Sequence, residues 1–272
     1  MKLAFLFLLL STSLQAETIN LTEKQANFVA MKVWHNEGAG LDKYLIHWNI
    51  GEDFASIGIG HFIWFSEGHT EKFHEVFPDV VAFMQHKNVE LPDWLSADTS
   101  LPWNSRKEFY AAKKANSEKY HQLFDFLKST KGYQAEFLAQ RLNLALPKIL
   151  NAIEAKDKKE AKKKRERIEQ RFYKILNNQD GSVNEKGLYA LLDYVNFKGE
   201  GTVVSERYNH QGWGLLQVLE HLDPAEPNYL KAFAESADAM LTRRLKNSPP
   251  ARGEVRWKAT WHNRVMSYWQ QD

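Results

Sequence analysis

The sequence contains no cysteine, which excludes disulfides, a cysteine nucleophile and a lipid-modified N-terminal cysteine. It also lacks a charge imbalance, because 36 Lys and Arg stand against 34 Asp and Glu, so there is no general argument for nucleic-acid binding. Its ten histidines show no zinc-binding spacing such as His-Glu-x-x-His, and we infer no metal or other cofactor. The chain also has no Gly-x-Ser-x-Gly elbow and no nucleotide-binding Gly-x-Gly-x-x-Gly loop.

Long apolar runs are missing except at the N-terminus. A single positive charge at Lys2 precedes a short apolar run and then polar and small residues up to Ala16. This layout is typical of a secretory signal peptide. The run is much shorter than the roughly 20 residues that span a bilayer. We therefore expect residues 1–16 to be a signal peptide and residues 17–272 to be exported, periplasmic or extracellular, without a transmembrane anchor.

The first predicted helix begins near Thr22, which forms a capping box with Gln25 three residues later. Its apolar stripe is formed by Ala26, Val29, Ala30, Val33 and Trp34. Glu37 continues this stripe at the end of the helix, and Gly38 and Gly40 are expected to terminate it. An acid in this position is either exposed by fraying, paired structurally, or desolvated. Desolvation raises a carboxyl pKa, so that the group can donate a proton near neutral pH.

Most of the remaining chain is predicted to be helical. Helical spacing occurs near residues 70–86, 105–128, 132–152, 155–177, 185–197, 211–221, 228–246 and 256–269. Pro78 and Pro147 are expected to break or kink two of these segments. Residues 41–65 instead combine apolar and aromatic residues with glycines, which favours short strands and turns. The expected class is therefore α+β, mainly α, with a small hairpin sheet beside the first helix.

Two further acids, Glu52 and Asp53, follow Gly51 in a predicted turn, where carboxylates tend to stay solvated and ionised. One desolvated acid and one ionised acid on a cleft are what glycoside hydrolysis requires. The first protonates the glycosidic oxygen, while the second stabilises positive charge, activates water or attacks carbon. Adjacent acids in a turn are also common as plain surface residues, so the pattern alone leaves both alternatives open.

The segment from Asn36 to Trp64, "NEGAGLDKYLIHWNIGEDFASIGIGHFIW", resembles the catalytic segment of phage-type lysozymes. In that family a helix ends in Glu-Gly, Leu and Tyr follow, and a hairpin acid precedes Thr-Ile-Gly-x-Gly-His. The matching residues here are Glu37, Gly38, Leu41, Tyr44, Ser56, Ile57, Gly58, Ile59, Gly60 and His61. The resemblance implies a lysozyme-like fold and a glycosidase that acts on an aminosugar polymer, most plausibly peptidoglycan.

The resemblance makes Glu37 the general acid and puts Ser56 in the place of a threonine that positions water. The second carboxylate is expected to be Asp53, as in the related chitosanases, with Glu52 as the alternative. Lytic transglycosylases work with a single acid, so Glu37 acting alone is a third possibility. Tyr44 and His61 are expected to contact the substrate.

A weaker similarity lies in "ALLDYVNFKGEG", from Ala190 to Gly201, which resembles the lysozyme helix that packs behind the active site and contributes Asn196. A polar and aromatic cluster follows it, of the kind that binds sugars. Its candidate substrate-binding residues are Arg207, Tyr208, Gln211 and Trp213. The alternative is a capped helix start with Trp213 in the core.

The stretch from Glu154 to Phe172 is rich in Lys, Arg and Glu. It is interpreted mainly as a solvated helix with Glu–Lys pairs, and a weak contact with anionic envelope polymers is the alternative. We expect one lysozyme-like catalytic domain over residues 17–272, with a helical insertion around residues 66–184. A non-catalytic protein that binds an envelope glycan through the same cleft is the competing hypothesis.

Overall fold

The computed structural model describes residues 19, 21–38, 40–69, 75–155 and 157–270, and these are mainly helical. Their α-helices are α1 (Glu23–Gly38), α2 (Phe77–His86), α3 (Arg106–Ala115), α4 (Glu118–Ser129), α5 (Lys131–Asn151), α6 (Lys158–Leu176), α7 (Glu185–Lys198), α8 (Leu215–His221), α9 (Tyr229–Asn247) and α10 (Lys258–Met266). None of these helices is long and apolar enough to cross a bilayer. The signal peptide predicted for residues 1–16 lies outside the described residues.

A small antiparallel sheet follows α1. Its strands, in spatial order, are β1 (Ile46–His47), β2 (Ala55–Ile57) and β3 (Phe62–Trp64). The predicted class, mainly α with a small hairpin sheet, is therefore confirmed. Gly58, between β2 and β3, has a φ of +73°, and a Cβ there would lie 2.3 Å from the Gln134 side-chain oxygen. That oxygen accepts a hydrogen bond from the Ile59 amide at 2.8 Å, which ties the sheet to α5.

The predicted capping box forms at the start of α1. The Gln25 amide donates to the Thr22 hydroxyl at 3.3 Å, and the Thr22 amide donates to the Gln25 side-chain oxygen at 2.9 Å. The predicted apolar stripe is buried, and α1 packs with it against α5 and α7. The helix ends at Gly38, as predicted, so Glu37 lies in its last turn.

Several predicted boundaries differ from the structure. The segment 105–128 is two helices, because Asn116 adopts a left-handed conformation with a φ of +48° that ends α3. The segment predicted from residue 211 becomes helical only at Leu215, since Gly212 and Gly214 precede it. Pro78 lies in the first turn of α2, where proline is tolerated, whereas α5 continues through Pro147 without a break.

The charged stretch forms α6, which buries one apolar side, with Ile168, Phe172 and Ile175 in the core. Its charged side includes the pair Lys162–Glu166 at 3.8 Å. Helices α2 to α6 occupy most of the predicted insertion. At the other end of the chain, α10 packs on α9, and its inner side reaches α1 and α7 through Arg264.

Candidate active site

Glu37 faces a cavity of about 760 Å³, with 18% of its side chain exposed. The wall of this cavity is built from α1, α7, α10 and the turn that precedes β2. Because Glu37 is in the last turn of α1, its carboxylate extends the buried stripe of the helix into this space. The sequence placed Glu37 on the apolar side of a helix end, and the structure bears this out.

The Glu37 carboxylate is held by Arg264 from α10, whose Nη2 donates to Glu37 Oε1 at 2.6 Å. The same guanidinium makes two hydrogen bonds to Asp193 of α7, from Nη2 to Oδ1 at 2.7 Å and from Nε to Oδ2 at 2.9 Å. Burial alone would lower the pKa of Arg264, but the charges of Asp193 and Glu37 outweigh it and raise that pKa well above its ordinary value. Arg264 therefore remains charged.

Asp193 is fully buried and has several donors around it. The Tyr268 hydroxyl donates to Asp193 Oδ2 at 2.6 Å. Burial and the charge of Asp193 raise the pKa of Tyr268 well above its ordinary value, so this hydroxyl stays protonated. Asn36 of α1 bonds the Tyr189 hydroxyl and lies 3.5 Å from Asp193 Oδ1. The network fixes the position of Arg264, and through it that of Glu37.

Of the two carboxylates that Arg264 binds, only Glu37 faces the cavity. Asp193 takes two of the hydrogen bonds of the guanidinium and has no exposed surface. Glu37 is therefore the carboxylate of this network that a ligand in the cavity can reach.

Glu52 and Asp53 differ in position although they are neighbours in the chain. Glu52 lines the same cavity as Glu37 and accepts a hydrogen bond from the Asn49 side-chain amide at 2.9 Å. Asp53 is exposed and does not line this cavity. The sequence favoured Asp53 over Glu52 as the second carboxylate, whereas the geometry favours Glu52.

Ser56 and Tyr44, two further residues predicted for the site, lie in the segment that follows α1. Ser56 is buried on β2, paired with His47 and with Ile63 on the adjacent strands. Tyr44 ends a short 3₁₀ turn and packs edge-on against the His47 ring, with 5.6 Å between ring centroids. Neither Ser56 nor Tyr44 lines the cavity of Glu37.

His61 connects Glu37 to a second cavity. Its Nδ1 lies 3.7 Å from Glu37 Oε2, and its backbone has a φ of +46°. Burial lowers the pKa of His61 below its ordinary 6.5, although the charge of Glu37 opposes this. The ring is therefore neutral near pH 7. Its Nε2 is buried without a hydrogen-bond partner among the described residues.

The second cavity has a volume of about 500 Å³ and contains most of the predicted substrate-binding residues. They are His61, Asn196, Tyr208 and Trp213. Phe197 lines both cavities, so the two are adjacent. Gln211 is exposed and bonds Asn247, and neither Gln211 nor Arg207 lines either of these two cavities.

These side chains are held by specific contacts. Asn196 accepts a hydrogen bond from Arg141 Nη1 at 3.2 Å. The Tyr208 hydroxyl donates to Glu254 at 2.9 Å, and its ring lies 4.7 Å from that of Trp213. Trp213 is 8% exposed, so most of its side chain is in the core. The surface that remains accessible lines the second cavity.

The sequence analysis missed Arg264, Asp193, Tyr268, Asn36 and Lys198. One signal was available, since Asp193 stands inside the apolar run "ALLDYV", where an acid must find a buried partner. Arg264 has no such signal, because it lies 227 residues from Glu37 in the chain. No group of three or more His, Cys, Asp or Glu in the described ranges is arranged to hold a metal ion. Comparison with protein-family models, curated proteins and solved structures finds no match for this chain.

Proposed function

We propose that this chain is an exported, lysozyme-like glycoside hydrolase that cleaves an aminosugar polymer, and we assign peptidoglycan as that polymer. The observation on which this depends is the position of Glu37, held by Arg264 in the wall of a cavity that also contains Glu52. Most glycoside hydrolases use two carboxyl groups on one cleft. The resemblance of residues 36–64 to phage-type lysozymes supports the same reading.

In this proposal Glu37 is the general acid. A sugar that fills the cavity displaces water from around Glu37, and desolvation favours the neutral form of a carboxyl group. The proton then passes to the glycosidic oxygen as the bond to the sugar carbon breaks. Arg264 stabilises the carboxylate that remains, since it already lies 2.6 Å away.

We assign the second carboxylate to Glu52, because it lines the cavity and Asp53 does not. Glu52 then stabilises the positive charge of the oxocarbenium-like transition state or activates the attacking water. Ser56 lies on the strand that follows this turn, but it is buried and does not line the cavity, so we assign it no contact with that water. His61, Asn196, Tyr208 and Trp213 are proposed to contact neighbouring sugars in the second cavity.

The test replaces Glu37 with glutamine, which keeps the shape and the hydrogen bond to Arg264 but cannot supply the proton. We expect turnover of purified peptidoglycan to fall by at least about 1,000-fold, in line with the loss of a general acid. The matched control is Glu23→Gln, an exposed acid in the first turn of the same helix, which should retain turnover. Full turnover by Glu37→Gln would refute the assignment.

One observation favours a second candidate, a non-catalytic protein that binds an envelope glycan. Arg264 Nη2 lies 2.6 Å from Glu37 Oε1, so one oxygen of this carboxylate is already engaged in a contact that holds α10 to α1. Retention of the purified chain on peptidoglycan, with no new chain ends in the polymer, would support this candidate. Release of fragments with reducing ends supports the hydrolase, whereas anhydro ends indicate a lytic transglycosylase. Cleavage of chitosan in place of peptidoglycan indicates a chitosanase.

A further inference from the structure

The second cavity is strongly basic. Four cationic side chains line it, against the single carboxylate of Glu206. They are Arg141, Lys198, Arg244 and Arg252. The formal charge of the whole chain is only +2, so this is a local concentration of positive charge.

Two of the four cations already have a carboxylate partner. Arg244 makes hydrogen bonds of 2.8 and 2.9 Å to the two oxygens of Glu254, and Arg252 lies 3.4 Å from the same group. Arg141 instead donates to the neutral amide of Asn196. Burial lowers its pKa, although the charges of Glu200 and Asp79 oppose this. No carboxylate of the described residues forms an ion pair with Arg141, so a bound anion would be its direct partner.

Lys198 is the second cation of this cavity that has no carboxylate partner among the described residues. Its ammonium lies 3.8 Å from the centroid of the Phe197 ring and 3.7 Å from that of Trp261, but it forms no hydrogen bond or ion pair with any described residue. Burial lowers its pKa well below the ordinary value. An ammonium that is removed from water without an anion is energetically unfavourable, and a bound anion would supply the missing partner.

The size of the cavity indicates what kind of anion fits. A volume of about 500 Å³ is in the range of sites for organic ligands and is far larger than a single inorganic ion needs. The rings of Tyr208 and Trp213, which are tilted by 46° to each other, provide an apolar wall beside the cations. His61 also lines the cavity and lies 3.7 Å from Glu37, so a group bound here belongs to a sugar next to the scissile bond.

We propose that this cavity binds a carboxylate-bearing substituent of the glycan, with Lys198 and Arg141 as its cationic contacts. The inference rests on the proposed function, because it places the substituent beside the bond that Glu37 acts on. In peptidoglycan such carboxylates belong to the attached peptides and, on muramoyl sugars that carry no peptide, to the lactyl ether. A neutral aminosugar polymer would leave both cations unpaired.

The test measures binding in a Glu37→Gln background, so that the polymer is not consumed. The probes are purified peptidoglycan and the same material after carbodiimide and ammonia have converted its carboxylates to amides. We expect at least about 10-fold weaker binding to the amidated polymer. Adding Lys198→Met should remove most of this difference, and Lys198→Arg should restore it. The matched control is Lys162→Met, an exposed lysine on α6.

Arg141→Gln provides a second variant, in case Lys198→Met does not fold. Equal binding to both polymers by the Glu37→Gln chain would overturn the inference, as would an unchanged preference in both Lys198→Met and Arg141→Gln. An amidase that removes the peptides frees the lactyl carboxylate, which an attached peptide otherwise holds as an amide. Stronger binding to this stripped polymer than to its own amidated form shows that the site accepts the lactyl carboxylate, and equal binding to the two assigns the site to the peptide carboxylates.

Cleavage by the unmodified chain, measured on the same two polymers, separates this inference from the proposed function. Equal cleavage of both polymers would contradict the proposed carboxylate site and would still support the proposed glycosidase activity. A binding preference for the untreated polymer without any cleavage retains the carboxylate site and overturns the glycosidase.

Discussion

Glu52 and Asp53 have the same charge and adjacent positions, yet only Glu52 lines the cavity of Glu37. We therefore expect Glu52→Gln to lower turnover of peptidoglycan by at least about 100-fold, because a charge that stabilises the transition state is lost. Asp53→Asn should change turnover by less than about 3-fold, since its carboxylate is exposed and outside the cavity. Initial rates of the two variants decide which acid takes part in the reaction. A larger loss of turnover in Asp53→Asn than in Glu52→Gln would show that Asp53 reaches the reacting sugar.

Arg264 and Asp193 form a buried pair whose members depend on each other. Removing the guanidinium in Arg264→Met leaves the fully buried Asp193 without its cation, at an expected cost of about 3–5 kcal/mol in the free energy of unfolding. Adding Asp193→Asn should recover most of this loss, because the amide oxygen still accepts from Tyr268. Urea denaturation of the two variants makes the comparison. A double variant no more stable than Arg264→Met would contradict it.

His61 gives the protein a pH-dependent contribution to stability. Burial lowers its pKa in the folded chain, so below pH 6.5 the unfolded chain binds more protons than the folded one. This contribution is present above that pH and is lost as the pH falls below it. His61→Asn removes the titrating group, and asparagine tolerates the positive φ at this position. Between pH 7 and pH 5 the variant should lose less unfolding free energy than the parent in denaturant titrations, and an identical loss would contradict the assignment.

At the scale of elements, α6 and α7 are in close contact at Gly187. A Cβ there would lie 1.8 Å from the Ile175 carbonyl oxygen, so Gly187→Ala must push the two helices apart. We expect a loss of about 1–3 kcal/mol in the free energy of unfolding, as for other overpacked sites. Gly132→Ala in α5 is the control, because the nearest atom to its new methyl is 3.9 Å away and alanine favours helices. Equal stabilities of the two variants would show that α6 and α7 are not packed this closely.

The elements that were predictable from sequence are those specified by neighbours in the chain. The Thr22–Gln25 cap and the apolar stripe of α1 lie within one helix, and they place Glu37 correctly at its end. The break at Asn116 was missed because an asparagine in a helical pattern does not reveal whether its backbone will turn left-handed. The sequence also could not show that Glu52 lines the cavity and Asp53 does not. Both residues belong to one turn, and which side chain faces the cavity depends on how that turn packs.

At the scale of the whole molecule, the site depends on contacts that no local pattern encodes. Arg264 meets Glu37 across 227 positions, and Tyr268 meets Asp193 across 75. Such pairs arise because α10 packs on α9 in a position from which Arg264 reaches α1 and α7, and sequence periodicity does not specify that position. The basic cavity is equally hidden in a near-neutral composition, because its cations come from α5, α7, α9 and the turn after α9.

The most direct measurement digests purified peptidoglycan with residues 17–272 in water enriched in ¹⁸O and analyses the fragments by mass spectrometry. The account predicts new reducing ends that contain the heavy oxygen, and their absence from a parallel digest with Glu37→Gln. Intact polymer in both digests, with the chain bound to it, would contradict the claim that Glu37 delivers a proton to a glycosidic bond.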